Sequence, residues 1–387
     1  MKKTSKTYDN DWPIVAICYD FDKTLSPKDM QNFDLIPKLK CKVGPFWKEA
    51  GKLAKENGMD KIIAYMKLIV DKAKARKEKL SRTDFNDLGK GIELFPGVDT
   101  WFSRINDIGR EFHLNIEHYI ISAGLKEIID GTSIRNEFAE VYASEFFYDE
   151  YAAPCWPAQV VNYTSKTQYL FRISKDCLDL SDEESVNNYI TDGERRIPFK
   201  QFIYIGDSET DIPAMKIIKQ GGGCSIGVYN PISCNLDKVA NLLKQERIDF
   251  LMPANYSEGS KIENCVRIIL KKISVDNDIH KLNEKQKDFV SDMEVIDDFI
   301  EYTKRYLNQG DITLEDLKSL EKRGKKILKR IKRDVLDRHI ELVGNDEIEA
   351  AVKSQEEVLT GIFNEKRKKI EKKAEKQKNE SNDKKEN

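Results

Sequence analysis

Short apolar runs alternate with amphipathic stretches over the first two-thirds of the chain. The apolar runs predict buried strands at 14–19, 118–121 and 202–205 and, with a weaker pattern, at 225–229. Residues 98–108 place apolar side chains at spacings of three and four, which predicts one face of a helix. Because strands and helices alternate, we expect an α/β fold in which a Rossmann-like parallel sheet is covered on both faces.

Two segments interrupt this alternation. Residues 27–94 carry helical patterns without a clear strand and are too long for a loop, so we expect an inserted helical subdomain. Residues 177–196 are polar and acidic, and we expect them to form a surface excursion.

The pattern changes again in the last third of the chain. Apolar residues within 289–307 recur at alternating spacings of four and three, which is a heptad-like stripe on a long helix. Thr313 and Asp316 resemble a capping box that begins a second helix, and a third helix is predicted to begin near Asn345. We therefore expect an all-helical C-terminal extension over 280–365.

The sequence leaves the role of this extension open. Residues 280–365 can pack as a helical bundle, or they can form an arm that makes a homo-oligomer or binds a protein partner, because heptad stripes often bury against another helix. The final segment, 366–387, is mostly Lys, Glu and Asn, and we expect a frayed helix that runs into a disordered, charged tail. Its interleaved glutamates favour a solvated helix over binding to nucleic acid.

The overall composition narrows the classes of function. The 387 residues include 65 Lys and Arg against 67 Asp and Glu, and this net charge of −2 argues against nucleic-acid binding through bulk positive charge. No apolar segment reaches the roughly 18–20 residues that span a bilayer, and we expect no signal peptide. The seven cysteines form no Cys-x-x-Cys pair, so we expect reduced thiols in a cytoplasmic protein.

The strongest chemical signal is a pair of carboxylates after the first predicted strand. Asp20 and Asp22 follow 14–19 directly, and they project the same way if the strand continues through them. Two carboxylates at this place are unfavourable unless they are neutralised, which a divalent cation would do. The alternative is an acidic turn with no chemical role.

A second predicted strand, 202–205, also ends in carboxylates. Gly206 gives the backbone freedom at the strand end. Asp207 is placed to reach a cation shared with Asp20, and Asp211, four residues later, can orient waters or a lysine. Two separate strands that end in carboxylates favour a shared metal site over an acidic turn.

At this point the sequence resembles the haloacid dehalogenase-like (HAD) superfamily of phosphohydrolases. The matching motifs are DFDKT at 20–24, Ser122 at the end of HYIIS, the lysine that ends NYTSK at 162–166, and GDSETD at 206–211. The resemblance covers about residues 13–273 and points to the phosphoserine phosphatase-like branch, whose cap is inserted just after the first motif. It implies a core formed by 13–26 and 95–275, with 27–94 as the helical cap.

The resemblance also implies roles for the aspartates. Asp20 would be the nucleophile that forms an aspartyl-phosphate, and Asp22 would protonate the leaving oxygen and then activate water. Mg²⁺ would be held at Asp20, Asp22, Asp207 and Asp211, with Asp22 contributing its backbone carbonyl. The cation would offset the repulsion between the attacking carboxylate and the phosphoryl group.

The implied phosphate site consists of Thr24, Ser122, Ala123, Gly124 and Lys166. Thr24 would also fix the loop through its hydroxyl. Ser122 would bind phosphate with free N–H groups at a helix start, and its alternative is a plain helix cap. Lys166 is the implied catalytic lysine, because a cation must offset the carboxylates; Lys126 and Lys175 are its rivals.

The residues and the resemblance together imply an Mg²⁺-dependent phosphatase that acts on a small phosphorylated metabolite. Asp22 argues against the carbon–halogen dehalogenases, which lack this aspartate, and the lack of membrane spans argues against the related ATPases. Three alternative functions remain. The protein could be a sugar-phosphate mutase, or a phosphatase of nucleic-acid ends. It could also be a regulatory protein in which the arm at 280–365 is the effector and the HAD domain senses or processes a phosphorylated ligand.

Overall fold

The computed structural model describes residues 9, 12–207, 209–232, 236–309, 312–343 and 345–383. The chain forms two compact units, unit 1 (Met1–Val275) and unit 2 (Asp276–Asn387). Within the described ranges, no helix is both long and apolar enough to cross a bilayer.

Unit 1 is built on a sheet that has seven strands among its described residues. The strands are β1 (Ile14–Tyr19), β2 (Asn115–Leu125), β3 (Phe138–Tyr148), β4 (Pro154–Gln159), β5 (Phe202–Gly206), β6 (Cys224–Tyr229) and β7 (Phe250–Pro253). Their order is β4-β3-β2-β1-β5-β6-β7, and neighbouring strands are parallel except β3 and β4. The predicted α/β fold with a mostly parallel sheet is confirmed.

Helices cover both faces of this sheet. Those of unit 1 are α1 (Leu35–Lys38), α2 (Val43–Asn57), α3 (Lys61–Arg76), α4 (Arg82–Gly89), α5 (Val98–Glu111), α6 (Lys126–Asp130), α7 (Lys166–Lys175), α8 (Glu183–Asn187), α9 (Ile212–Gln220) and α10 (Leu236–Lys244). Side chains of β1 alternate between the two faces. Ile17 belongs to the apolar cluster that contains Trp101 of α5, whereas Cys18 belongs to the cluster that contains Leu170 of α7.

The segment 27–94, between the first motif and α5, is occupied by α1–α4 and one short 3-10 helix. Local capping explains where its helices begin. The Asp60 carboxylate accepts a hydrogen bond from the backbone N–H of Ile62, and Ser81 forms a capping box at the start of α4. The two ends of the segment meet, because Phe95 N donates to the carbonyl of Leu25 at 2.9 Å.

The strands differ from the sequence prediction in extent and number. β2 continues to Leu125, well past the predicted 118–121, and β3, β4 and β7 were not predicted. β4 contains Pro154 and Pro157, which a central strand excludes, and it lies at the edge of the sheet, where proline is tolerated. The acidic segment 177–196 contains α8, which has no buried residue.

The described residues of unit 2 are helical except 312–313, which precede α12. Unit 2 contains the part of α11 (Lys261–Gln309) after residue 275, together with α12 (Leu314–Val343) and α13 (Asn345–Asp383). Thr313 and Asp316 form the predicted capping box, with Asp316 N donating to Thr313 Oγ1 at 3.1 Å. The three helices share one apolar core, which includes Ile296, Ile300, Leu317, Leu328, Val335, Val352, Leu359 and Phe363.

The charged C-terminal segment continues the third helix of unit 2. Residues 366–383 belong to α13, where the sequence predicts a frayed helix, and residues 384–387 lie outside the described ranges. Oppositely charged side chains spaced by four residues support an exposed helix. Lys369 and Glu365 form such a pair, with 2.7 Å between Nζ and Oε1.

Candidate active site at the carboxyl edge of the sheet

Aspartates from two neighbouring strands meet at one edge of the sheet. Asp20 follows β1 and Asp207 follows β5, and these strands pair in parallel with Tyr19 beside Ile205. The backbone N–H of Asp20 donates to the carbonyl of Ile205 at 2.9 Å. One carboxylate oxygen each from Asp20, Asp207 and Asp211 lies within 4.8 Å of the others. The structure therefore brings together side chains that are far apart in the sequence.

A single lysine connects two of these carboxylates. Lys166 is the first residue of α7, and its Nζ lies 2.9 Å from Asp20 Oδ1 and 2.6 Å from Asp211 Oδ1. Its side chain is only 1% exposed. The rival lysines lie elsewhere: Lys126 pairs with Glu145 at 3.7 Å, and Lys175 donates to two backbone carbonyls. The geometry selects Lys166 from the three candidates.

Asp211 is fully buried and is held from two sides. Besides Lys166, its Oδ1 accepts a hydrogen bond of 2.9 Å from the hydroxyl of Tyr204 on β5. Gly206 allows this approach, because a Cβ at that position would lie 2.6 Å from Asp211 Oδ2. Sequence reasoning missed Tyr204, since a tyrosine in an apolar strand carries no sign of a polar partner.

The carboxyl groups carry raised pKa values. Burial, opposed by Lys166 and reinforced by Asp211, raises the pKa of Asp20 to about 6. Burial and the charges of Asp20 and Asp211 raise the pKa of Asp207 well above its usual range. Burial together with Asp29 and Asp20 does the same for the pKa of Asp22. Negative charge in the site thus exceeds what one lysine neutralises.

This donor set fits a hard divalent cation. Mg²⁺ and Ca²⁺ bind carboxylate and carbonyl oxygens, and Mg²⁺ is usually held by one or two carboxylates. Asp20, Asp207 and Asp211 offer oxygens of this kind at close spacing. Burial and then the neighbouring carboxylates raise the pKa values of Asp20 and Asp207, and a bound cation would stabilise their charged forms against both effects.

The loop after β1 places Asp22 beside the cluster. Its Oδ1 accepts a hydrogen bond of 2.7 Å from the backbone N–H of Met30. The loop is fixed by the carbonyl of Thr24, which accepts a hydrogen bond of 2.8 Å from the hydroxyl of Tyr256. The buried hydroxyl of Thr24 has no partner among the described residues, so the expectation that this hydroxyl fixes the loop is wrong.

The segment Ser122, Ala123 and Gly124 lies at the end of β2, directly before Leu125, which is the N-cap of α6. Gly124 N donates to Ser122 Oγ at 3.1 Å, and the five-residue helix α6 begins only at Lys126. The N–H of Gly124 is therefore hydrogen-bonded to Ser122, although we expected it to be free for a phosphate. The segment still adjoins the site, because a Cβ at Gly124 would lie 3.2 Å from Asp22 Oδ2.

A cleft of about 340 Å³ opens beside Asp22. Its walls include Asp29, Gln31, Trp47, Lys61, Ile62 and Tyr65 from the segment 27–94, together with Ala123. Tyr65 donates to the carbonyl of Ala123 at 2.9 Å. The amide oxygen of Gln31 is buried and has no partner among the described residues. No sequence pattern indicates Gln31, because its place in the cleft depends on residues that are distant in the sequence.

His118, which opens a predicted strand, is part of the interior. Its Nδ1 lies 3.0 Å from the hydroxyl of Tyr19 and its Nε2 lies 3.1 Å from Asn106 Oδ1. The side chain is fully buried, as expected for a hydrogen-bonded core histidine.

Comparison with known proteins gives several similarities. The chain is 28% identical over 283 residues to an uncharacterized protein of Borreliella burgdorferi, covering 65% of this chain and 95% of that protein. A HAD family hydrolase from Salmonella enterica serovar Typhi shares 15% identity at a TM-score of 0.42, covering 63% of this chain and 69% of that one. A substrate-bound phosphoserine phosphatase shares 15% identity at a TM-score of 0.40, covering 62% and 92%.

The family assignment comes from a family model rather than from these distant structures. The model described as haloacid dehalogenase-like hydrolase matches residues 17–216. That stretch contains the motifs at 20–24, 118–122, 162–166 and 206–211 and is more than half of the 387 residues. The chain therefore belongs to the haloacid dehalogenase-like hydrolase family.

Proposed function

We propose that this protein is an Mg²⁺-dependent phosphatase that hydrolyses a small phosphate monoester through an aspartyl-phosphate intermediate. One observation carries the proposal: Lys166 holds the buried Asp20 in a cluster with the buried Asp211 and the half-buried Asp207. A buried, oriented carboxylate beside a buried ammonium group is an arrangement suited to nucleophilic catalysis on an anionic substrate.

In the first step, Asp20 attacks phosphorus and the bond between phosphorus and the ester oxygen breaks. The contact with Lys166 falls on Asp20 Oδ1, so we assign the attack to Oδ2. Lys166 fixes the carboxylate and offsets negative charge on the phosphoryl oxygens. Asp211 positions Lys166 through its 2.6 Å contact.

Asp22 supplies the proton for the leaving alkoxide. Its pKa is raised by burial and by Asp29 and Asp20, so it retains a proton closer to neutral pH than an exposed aspartate does. Once deprotonated, Asp22 takes a proton from the water that attacks the aspartyl-phosphate. Hydrolysis then releases inorganic phosphate and regenerates the Asp20 carboxylate and the Asp22 acid.

The residues that would hold the cation are Asp20 and Asp207 through their carboxylates and Asp22 through its carbonyl, with Asp211 at the edge of the set. When bound, Mg²⁺ reduces the repulsion between the carboxylate and the phosphoryl group and neutralises developing charge. We assign the phosphate site to the Ser122 hydroxyl, the backbone at Ala123 and Gly124, and Thr24, with Lys166.

The size and chemistry of the cleft support a small substrate. A volume of about 340 Å³ is at the lower end of the range for small-molecule pockets. Trp47, Ile62 and Tyr65 offer apolar surface, and the amide oxygen of Gln31 is an acceptor without a protein donor. We propose a substrate whose organic part is compact and carries a hydrogen-bond donor.

Turnover of p-nitrophenyl phosphate tests the proposal. We expect activity that requires Mg²⁺, is lost on chelation, and falls by about 10³-fold or more in Asp20→Asn. The exposed Asp99 on α5 provides the matched control, Asp99→Asn. Turnover without a metal, or an Asp20→Asn rate equal to that of the control, would contradict the proposal.

The intermediate has its own test. Acid-quenched wild-type protein should gain the mass of one phosphoryl group on the peptide that contains Asp20, and Asp20→Asn should not. If the phosphoryl group were found on a peptide without Asp20, the assignment of Asp20 as nucleophile would be wrong, although the protein could still be a phosphatase.

A further inference from the structure

One stretch of unit 2, on α12, is rich in basic residues. Residues 318–333 of α12 contain nine basic residues and one acidic residue, although the whole chain carries a net charge of −2. Along the helix, positions 318, 322, 325, 329 and 333 recur at spacings of three and four, so their side chains share a face. The buried residues Leu317, Leu328 and Val335 lie on another face, in the core of the unit.

Five of these nine basic side chains form no ion pair with the described residues. Lys318, Lys322, Arg323, Lys326 and Lys329 are exposed, and none of them pairs with a carboxylate in the described part of the chain. Unpaired lysines at this density repel one another. A polyanion that binds along this face would relieve that repulsion and release counterions.

The C-terminal helix adds charge beside the same face. Arg367 of α13 contacts Glu321 of α12 at 2.5 Å, which brings the basic part of α13 next to the beginning of the α12 face. Exposed lysines follow on α13 at positions 368, 369, 372, 373 and 376. We call the exposed basic residues of 318–333 and 368–376 the basic surface.

An aromatic groove adjoins the basic surface. A cavity of about 240 Å³ lies between α11, α12 and α13, and Tyr302, Tyr306, Arg323 and Ile327 are among its lining residues. The side chain of Tyr302 is 69% exposed and that of Tyr306 is 50% exposed. Exposed tyrosines one helical turn apart, next to an arginine, offer platforms on which unpaired bases can stack.

We propose that unit 2 binds single-stranded nucleic acid, with the phosphates on the basic surface and bases stacked on Tyr302 and Tyr306. A duplex would use the lysines alone, because its bases are already stacked on one another. A lipid surface is disfavoured, because the apolar face of α12 is buried within the unit and cannot insert into a bilayer. This inference is independent of the proposed phosphatase activity.

Binding of the full chain to labelled oligonucleotides of about 20 nucleotides tests the proposal. Fluorescence anisotropy with oligo(U), oligo(dT), a duplex of the same length and anionic vesicles separates the possible ligands. We expect the single-stranded oligonucleotides to bind most tightly. The comparison of oligo(U) with oligo(dT) then shows whether RNA or DNA is preferred. Preference for the duplex or the vesicles, or no binding at about 50 mM salt, would overturn it.

Charge variants test the role of the basic surface. The triple variant Lys322→Gln, Lys326→Gln and Lys329→Gln should reduce the slope of log K against log salt by about 2, since each phosphate contact of a single strand contributes about 0.7. The matched control replaces three exposed lysines of unit 1, at positions 48, 55 and 74, by Gln. Equal slopes for the two triple variants would contradict the assignment.

Aromatic variants test the stacking. Tyr302→Ala and Tyr306→Ala should each weaken single-strand binding by about tenfold, whereas Tyr→Phe at either position should retain binding because the ring is kept. Both side chains are largely exposed, so the substitutions leave the core of unit 2 unchanged. Unaltered affinity in both alanine variants would refute the stacking and with it the preference for a single strand.

Discussion

The candidate active site of unit 1 buries charges that contact one another, whereas the basic surface of unit 2 exposes lysines that form no ion pair with the described residues. In the site, the side chains of Asp20, Lys166 and Asp211 are at most 8% exposed, and Lys166 lies within hydrogen-bonding distance of both carboxylates. In unit 2, Lys322 and Lys326 are exposed without an ion-pair partner among the described residues. The protein interior makes each buried charge depend on its neighbours, while solvent screens the exposed ones.

This difference separates two kinds of site. A buried cluster restricts the positions of its members and shifts their pKa values, which suits a reaction that needs fixed groups. An exposed basic surface leaves its side chains mobile and hydrated, which suits a long anionic partner. Substitutions in the two units should therefore differ in their effect on folding as well as on function.

The largest effect is expected for Lys166→Met. Removal of the ammonium group leaves Asp20 and Asp211 buried without their counter-charge, so the free energy of unfolding should fall by about 3–5 kcal/mol. Phosphatase turnover should fall by about 10³-fold or more, because the carboxylate loses its orientation. Urea unfolding and steady-state kinetics measure the two effects. A variant of unchanged stability would show that the buried pair contributes nothing to folding.

Gln31→Leu should have opposite effects on stability and on substrate binding. The amide oxygen of Gln31 is buried without a partner among the described residues, so its removal should stabilise the protein by about 1 kcal/mol. If this oxygen accepts a hydrogen bond from the substrate, KM for the physiological substrate should rise about tenfold while kcat changes little. An unchanged KM would remove Gln31 from the substrate site.

The sequence predicts the acidic residues and the lysine of the candidate site better than it predicts where the strands of unit 1 begin and end. β1 has the bounds 14–19 that the apolar run predicts, because a buried parallel strand is apolar at every position. β2 extends past its prediction because Ser122, Ala123 and Gly124 have the composition of a turn, and they form an irregular end of the strand. The contacts of Tyr204, Tyr256 and Gln31 depend on tertiary packing and have no local pattern.

The net charge of the chain gives no sign of the basic face of α12. It adds the nine basic residues of 318–333 to acidic residues elsewhere, so the local excess of positive charge disappears in the total. Only the helical geometry shows that these basic side chains share a face and that the groove with Tyr302 adjoins it. Local charge density, rather than net charge, is the quantity that a polyanion responds to.

Glu127→Gln should give a smaller, pH-dependent effect in unit 1. Burial raises the pKa of Glu127, whose Oε1 accepts from Phe146 N and the Tyr148 hydroxyl while Oε2 has no partner among the described residues. Because the folded-state pKa lies above the unfolded-state value, this group destabilises the fold as pH rises above about 4.5 and through the folded-state pKa.

Glutamine retains the Oε1 acceptor and cannot ionise. The stability of Glu127→Gln relative to the wild type should therefore be greater at about pH 7.5 than at about pH 5. Thermal unfolding at the two pH values measures the difference. A difference that is constant with pH would mean that Glu127 titrates alike in the folded and unfolded protein.

The smallest effect on folding is expected for the triple variant Lys322→Gln, Lys326→Gln and Lys329→Gln. These side chains are exposed and have no ion-pair partner among the described residues, so the free energy of unfolding should change by less than about 0.5 kcal/mol. Relief of lysine–lysine repulsion should make any change a stabilisation. Urea unfolding of the full chain, followed by circular dichroism, measures it. A destabilisation above about 1 kcal/mol would show that these lysines stabilise the bundle, and the contrast between buried and exposed charge would then fail in unit 2.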